Sequence, residues 1–134
     1  MKKFQNILVV VDSSQSTHSA LERAMKLAGQ GGGKLHLIEV VKDAGLALRW
    51  LSRDYVHIHE LLVRERQQGL QGLLELCKSH GIDATGEVLE GVSSQVTIDT
   101  VQRIGAQLVI REAKGERSLA TGSLGTSAMK LIRR

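Results

Sequence analysis

The sequence predicts an α/β protein: a parallel sheet in the middle layer of a three-layer sandwich, with helices on both faces. Two observations carry this. Ile7-Leu8-Val9-Val10-Val11 is an unbroken apolar run rich in β-branched residues, as expected of a strand buried on both faces in the middle of a parallel sheet. Short apolar runs and stretches of helical spacing then alternate along the whole chain, in the order β-α-β-α-β-α-β-α, which right-handed crossovers convert into a parallel sheet. The expected spatial order is 3-2-1-4.

The first strand ends in Asp12-Ser13-Ser14, residue types able to cap a helix. Ala20, Leu21, Ala24, Met25, Leu27 and Ala28 repeat at helical spacing, and Gly29 to Gly33 stop that helix. Leu35–Val41 reads as the second strand, interrupted only by His36 and Glu39. Lys42 to Asp54, with Trp50, reads as an irregular loop or a short helix. A long helix is marked by Ile58, Leu61, Leu62, Leu70, Leu73, Leu74 and Cys77, with polar Glu65 and Arg66 breaking its stripe and Gly81 just past its end. Thr85–Leu89 is a third strand, less apolar and so nearer a sheet edge. Val92 to Ile104 is ambiguous: Val96, Ile98 and Thr100 alternate like a strand, whereas Ser93, Ser94 and the length favour a helix. Leu108-Val109-Ile110 is the fourth strand, and a last helix is expected from about Ser123 to Ile132.

The chain has 134 residues, 42% apolar and 24% charged, a composition that suits one domain, residues 1–134, with a real core. No apolar run is long enough to span a membrane, and the short run after the basic Met1-Lys2-Lys3 ends in Asp12, so it reads as a strand and not as a secretory leader. Cys77 is the single cysteine, which rules out an internal disulfide and fits a reducing, cytoplasmic setting. The net charge of +4 comes from acids and bases mixed along the chain, with three aromatic side chains for stacking. That pattern argues against a nucleic-acid partner.

The stretch Glu112-Ala113-Lys114-Gly115, nine further residues, then Gly125-Thr126-Ser127 joins the fourth strand to the expected last helix. Free backbone N–H groups and the helix dipole make such a junction an anion site. Glu112 brings a negative charge into it, with Arg111 and Lys114 as the candidates to neutralise that charge. Ligands of parallel α/β sheets bind outside the carboxyl ends of the strands, where Asp12, Val40-Val41 and this loop all lie.

These residues together resemble the universal stress protein family: an apolar strand ending in Asp12, a second ending in Glu39-Val40-Val41, the Glu90-Gly91 turn after the third, and a loop of G-x2-G-x9-G-(S/T) spacing. The resemblance covers the whole chain and departs from the pattern at the first glycine, which is Glu112. It implies an adenine nucleotide alpha hydrolase-like, Rossmann-like fold acting as a non-catalytic stress-response module. It also implies an ATP or AMP ligand, with Mg2+ accompanying ATP, and contacts at Asp12, Val40, Gly115, Gly125, Thr126 and Ser127. Glu112 is expected to weaken phosphate binding, because its Cβ obstructs close approach and its carboxylate repels phosphate. An intact nucleotide site with weak ATPase activity is the alternative. The family ends in a fifth strand, often introduced by proline. With no proline in the sequence, where average usage predicts about seven, and with Arg133-Arg134 at the end, that strand is expected to be missing. The chain then reads as a fragment. Phe4-Gln5-Asn6-Ile7, Gly32-Gly33-Lys34 and the altered loop resemble the first domain of tandem bacterial universal stress proteins, paired with a sister domain or with a second copy, and the fourth strand is expected to be an open edge.

Other features read as structural. Gly31-Gly32-Gly33 lies at the wrong end of the sheet for a phosphate loop. His57 and His59, at i and i+2, face different ways on a helix, and no cysteine or acid cluster completes a metal set with them and Glu60. Cys77 continues an apolar stripe. No nucleophile turn supports hydrolase chemistry.

Overall fold

A computed structural model describes residues 4–42, 53–112 and 129–131. The strands are β1 (Asn6–Val10), β2 (Lys34–Val41), β3 (Ala84–Glu90), β4 (Leu108–Arg111) and β5 (Met129–Leu131). The helices are α1 (Ser19–Gly31), α2 (Arg53–Ser79) and α3 (Ser93–Ile104). They form one sheet of order β3-β2-β1-β4-β5. The first four strands are parallel in the expected 3-2-1-4 order, with Ile7 opposite Leu35 on one side and Leu108 on the other.

Burial explains why β1 is central. Ile7, Leu8 and Val9 are all fully buried, and their alternation feeds two cores. Ile7 and Val9 pack under α1 and α2, against Leu21, Ala24, Leu70 and Cys77. Leu8 packs on the opposite face, in a cluster with Ile38, Val109 and Val101 of α3. A strand with side chains buried on both sides cannot alternate apolar and polar residues.

Helix ends differ from expectation. Asp12 does not cap α1, which starts only at Ser19 after an N-cap at His18 that makes no side-chain capping bond. The ambiguous segment is a helix, α3, but its N-cap is Val92 and no serine side chain caps it. Gly32 closes α1 in the left-handed conformation, φ 71°, which an L side chain adopts only with strain.

The largest correction concerns the C-terminal segment. A fifth strand does join the sheet: Met129–Leu131, which the sequence places in the last helix, forms β5, antiparallel to β4 with Val109 opposite Lys130. Met129-Lys130-Leu131 fits a helical stripe and a strand equally well when read alone. The free backbone groups along the outer edge of β4 decide between them, because pairing there satisfies donors and acceptors of both segments. The fourth strand is therefore not an open edge.

Candidate functional site

The strand order reverses between β1 and β4, so the crevice at the carboxyl ends of these strands is where an α/β sheet accepts a ligand. Residues from β1, β2, β4, α1 and α2 converge there.

Asp12 follows β1. Its Oδ1 accepts hydrogen bonds from the backbone N–H of Ser14 at 3.0 Å, the Ser14 hydroxyl at 2.5 Å and Arg66 Nη1 at 2.9 Å. Burial works to raise the pKa of this carboxyl, but the bonds from Ser14 and Gln15 and the charge of Arg66 outweigh it. Asp12 is held below its ordinary value of 3.8.

Glu39 sits on β2 beside Asp12. It is 3% exposed, and its Oε2 accepts from the Ser13 N–H and hydroxyl, both at 3.0 Å, and from Arg66 Nη1 at 3.3 Å. Its Oε1 is buried without a hydrogen-bond partner. One guanidinium from α2 thus bridges two carboxyl groups on neighbouring strand ends. Gly69, one turn further along α2, makes this closeness feasible: a Cβ there would lie 2.4 Å from Ser13 Oγ.

Glu112 closes the other side. Its Oε2 accepts from the Ser19 hydroxyl at 2.8 Å and from the Ala20 N–H at 2.9 Å. The carboxylate caps the N-terminus of α1, which has no side-chain cap of its own. It therefore bridges β4 to α1 across the crevice where the strand order reverses. Among the described residues the charge is offset in part by this helix end, and Arg111 makes no hydrogen bond or ion pair with it.

Of the residues expected in the site, Asp12 and Val40 lie on adjacent strand ends. The Val40 side chain faces the α3 side, partly buried against that core. Gly115, Gly125, Thr126 and Ser127 fall outside the described residues, as does Lys114. Sequence reasoning passed over Glu39, Arg66 and Ser19. Two of them left a trace: Glu39 is an acid inside an apolar strand, and Arg66 interrupts an apolar helical stripe.

The histidines take other roles. His36 bridges Thr85 Oγ1 and Glu87 Oε2, each at 2.7 Å. Glu87 also contacts Arg103 of α3. His59 Nε2 lies 2.7 Å from Glu90 Oε1, and His59 stacks on Tyr55. Among the described residues no cluster of three or more His, Cys, Asp or Glu side chains could hold a metal ion, and no helix is long and apolar enough to cross a membrane.

Four parallel strands in the order 3-2-1-4, with helices on both faces and a crevice between β1 and β4, define a Rossmann-like α/β fold. The sequence model of the universal stress protein family matches residues 3–134, and the chain belongs to that family. It is 23% identical over 130 residues to universal stress protein MJ0531 of Methanocaldococcus jannaschii, covering 97% of this chain and 76% of the relative. The fold is similar to that of universal stress protein UspA from Lactobacillus plantarum, with TM-score 0.73 at 19% identity over 86% of this chain and 81% of the other. It is also similar to a universal stress protein crystallised in complex with cAMP, with TM-score 0.61 at 16% identity over 92% and 86%.

Proposed function

We propose that this chain is a non-catalytic stress-response module whose adenine-nucleotide site is weakened at the phosphate end. Asp12 and the backbone at Val40 would meet the nucleoside. Gly115, Gly125, Thr126 and Ser127 would meet the phosphates of ATP or AMP, with Mg2+ accompanying ATP. The observation that carries this reading is Glu112. A carboxylate stands where the family pattern has glycine, and it spans from β4 to the α1 N-terminus. A polyphosphate entering the crevice meets a fixed negative charge and a bridge that must open. The output then passes through a partner, either a sister domain or a second copy of the chain.

Calorimetric titration with ATP and AMP tests this. Weak binding by the wild type, strengthened in Glu112→Gly, supports it. Tight ATP binding that Glu112→Gly leaves unchanged overturns it, and Mg2+-dependent phosphate release argues against a non-catalytic role.

A second reading, an intact nucleotide site, has one observation in its favour. The Glu112 carboxylate is turned onto α1, where the Ser19 hydroxyl and the Ala20 N–H hydrogen-bond it and the helix dipole partly offsets its charge, so the loop beyond is spared part of the repulsion. A ligand with a single phosphate charge would suffer least. The titration therefore includes cAMP, the ligand of a structural relative. Tight cAMP binding beside weak ATP binding would select an intact site restricted to low-charge nucleotides.

A further inference from the structure

We propose that Glu39 and Arg66 are part of the ligand site, as the pair that releases Asp12 to a ligand bearing hydrogen-bond donors such as the neighbouring hydroxyls of a nucleoside sugar. The inference rests on the reading of Asp12 as a ligand contact.

In the present structure Asp12 is engaged. Its Oδ1 already accepts from Arg66, the Ser14 N–H and the Ser14 hydroxyl. Among the described residues its Oδ2 receives only a long bond from Gln15 Nε2 at 3.4 Å, so a pair of neighbouring donors spanning both oxygens must displace a bond at Oδ1, and Arg66 is the one with somewhere to go. Its two bonds in the structure run through Nη1 alone, to Asp12 and to Glu39 Oε2. The other oxygen of the same Glu39 carboxyl, Oε1, is buried and has no partner. A buried acceptor without a donor is rare and costly in a folded protein. The guanidinium fork matches the two oxygens of a carboxyl group, so Arg66 can engage both at once.

When such a pair of donors takes both oxygens of Asp12, Arg66 moves wholly onto Glu39 and fills the empty acceptor. One hydrogen bond is lost at Asp12 and one is gained at Glu39, while the ligand replaces Arg66 on Asp12. The helix α2 stays tied to the sheet by the same cation in both states. An anionic group in the same place drives no such exchange: the Asp12 carboxylate repels it, and the cation it would meet is Arg66 itself, drawn toward the anion and not onto Glu39. The class of ligand group recognised at this end is thus a neutral or cationic hydrogen-bond donor.

Two experiments decide this. The first is the crystal structure of Asp12→Ala, which removes the competing acceptor without any ligand. Arg66 is expected to bind Glu39 through both oxygens. An Arg66 turned to solvent, or an Oε1 still without a partner, overturns the proposal. The second follows the Arg66 Nε–H resonance by 15N NMR during titration of the whole chain with adenosine and with 2′,3′-dideoxyadenosine. Adenosine should move it, and the dideoxy compound should bind at least tenfold more weakly. Adenosine binding that leaves this resonance in place overturns the exchange while leaving the nucleotide-site reading standing. Absence of any adenine binding removes that reading, and the Asp12→Ala structure still decides the exchange. If Asp12→Ala does not fold, Arg66→Lys takes its place. A single ammonium cannot fork across Glu39, so adenosine affinity should fall about tenfold, and unchanged affinity would sink the proposal.

Discussion

At the scale of single residues, Glu112 joins two roles that pull against each other. It caps α1 through Ser19 and Ala20, and it places a charge beside the expected phosphate loop. Losing a helix cap costs about 1 kcal/mol, so Glu112→Gly should gain affinity for ATP and lose about that much stability. Urea unfolding beside the calorimetry measures both, and Glu112→Gln, which keeps an acceptor, should retain more of the stability than Glu112→Gly. Acid sensitivity follows from two other carboxyls. Asp12 is held below its ordinary 3.8. Glu87 is held below its ordinary 4.5, because the bonds and charges of Arg103 and His36 outweigh the effect of burial. A carboxyl with a lowered folded pKa adds stability above its unfolded value and loses it as pH falls through the folded one. Stability should therefore fall as pH drops below about 4.5 and continue falling below 3.8. Arg66→Gln should flatten the lower part of that profile in pH-dependent thermal melts, and an unchanged profile would mean Arg66 does not act on Asp12.

At the scale of elements, the contact between α2 and the loop after β1 depends on what Gly69 lacks. Alanine favours helix over glycine by about 1 kcal/mol, yet a Cβ at position 69 would meet Ser13 Oγ at 2.4 Å and Ser13 Cβ at 2.6 Å. Ser13 cannot turn away without giving up its hydroxyl bond to Glu39. Gly69→Ala should thus destabilise by about 1–3 kcal/mol, as overpacking does. At Gly72, on the same helix, nothing lies within 4 Å of a built Cβ, so Gly72→Ala should stabilise by up to about 1 kcal/mol. Thermal or urea melts of the two variants should move in opposite directions. The same element shows what periodicity conveys. Leu70, Leu73 and Cys77 were recognisable as a core stripe because burial on one helix face imposes a 3.6-residue repeat. The break at Arg66 was visible too, but its meaning depends on which carboxyls lie across from it, and those sit 27 and 54 residues away in sequence.

At the scale of the whole molecule, the order β3-β2-β1-β4 was readable because right-handed crossovers and a fully apolar first strand leave few alternatives. The edge was not. The pairing of β5 with β4 covers backbone groups that would otherwise be a template for association. Removing residues 129–134 should expose β4 again, and light scattering should show self-association at concentrations where the full chain does not aggregate. If the shortened chain scatters like the full one, β5 is not what protects that edge.

The amino-acid order by itself determined the alternation of elements, the central place of Ile7–Val11, the core stripes of the helices and the carboxyl-end position of Asp12, since each depends on local periodicity and burial. Tertiary structure alone decided three things. It joined Asp12, Glu39 and Arg66 into one cluster, gave Glu112 a helix N-terminus to cap, and made a strand of Met129–Leu131. Each of these depends on which backbone or charged groups from distant parts of the chain are left unsatisfied nearby, and a local pattern carries no record of them.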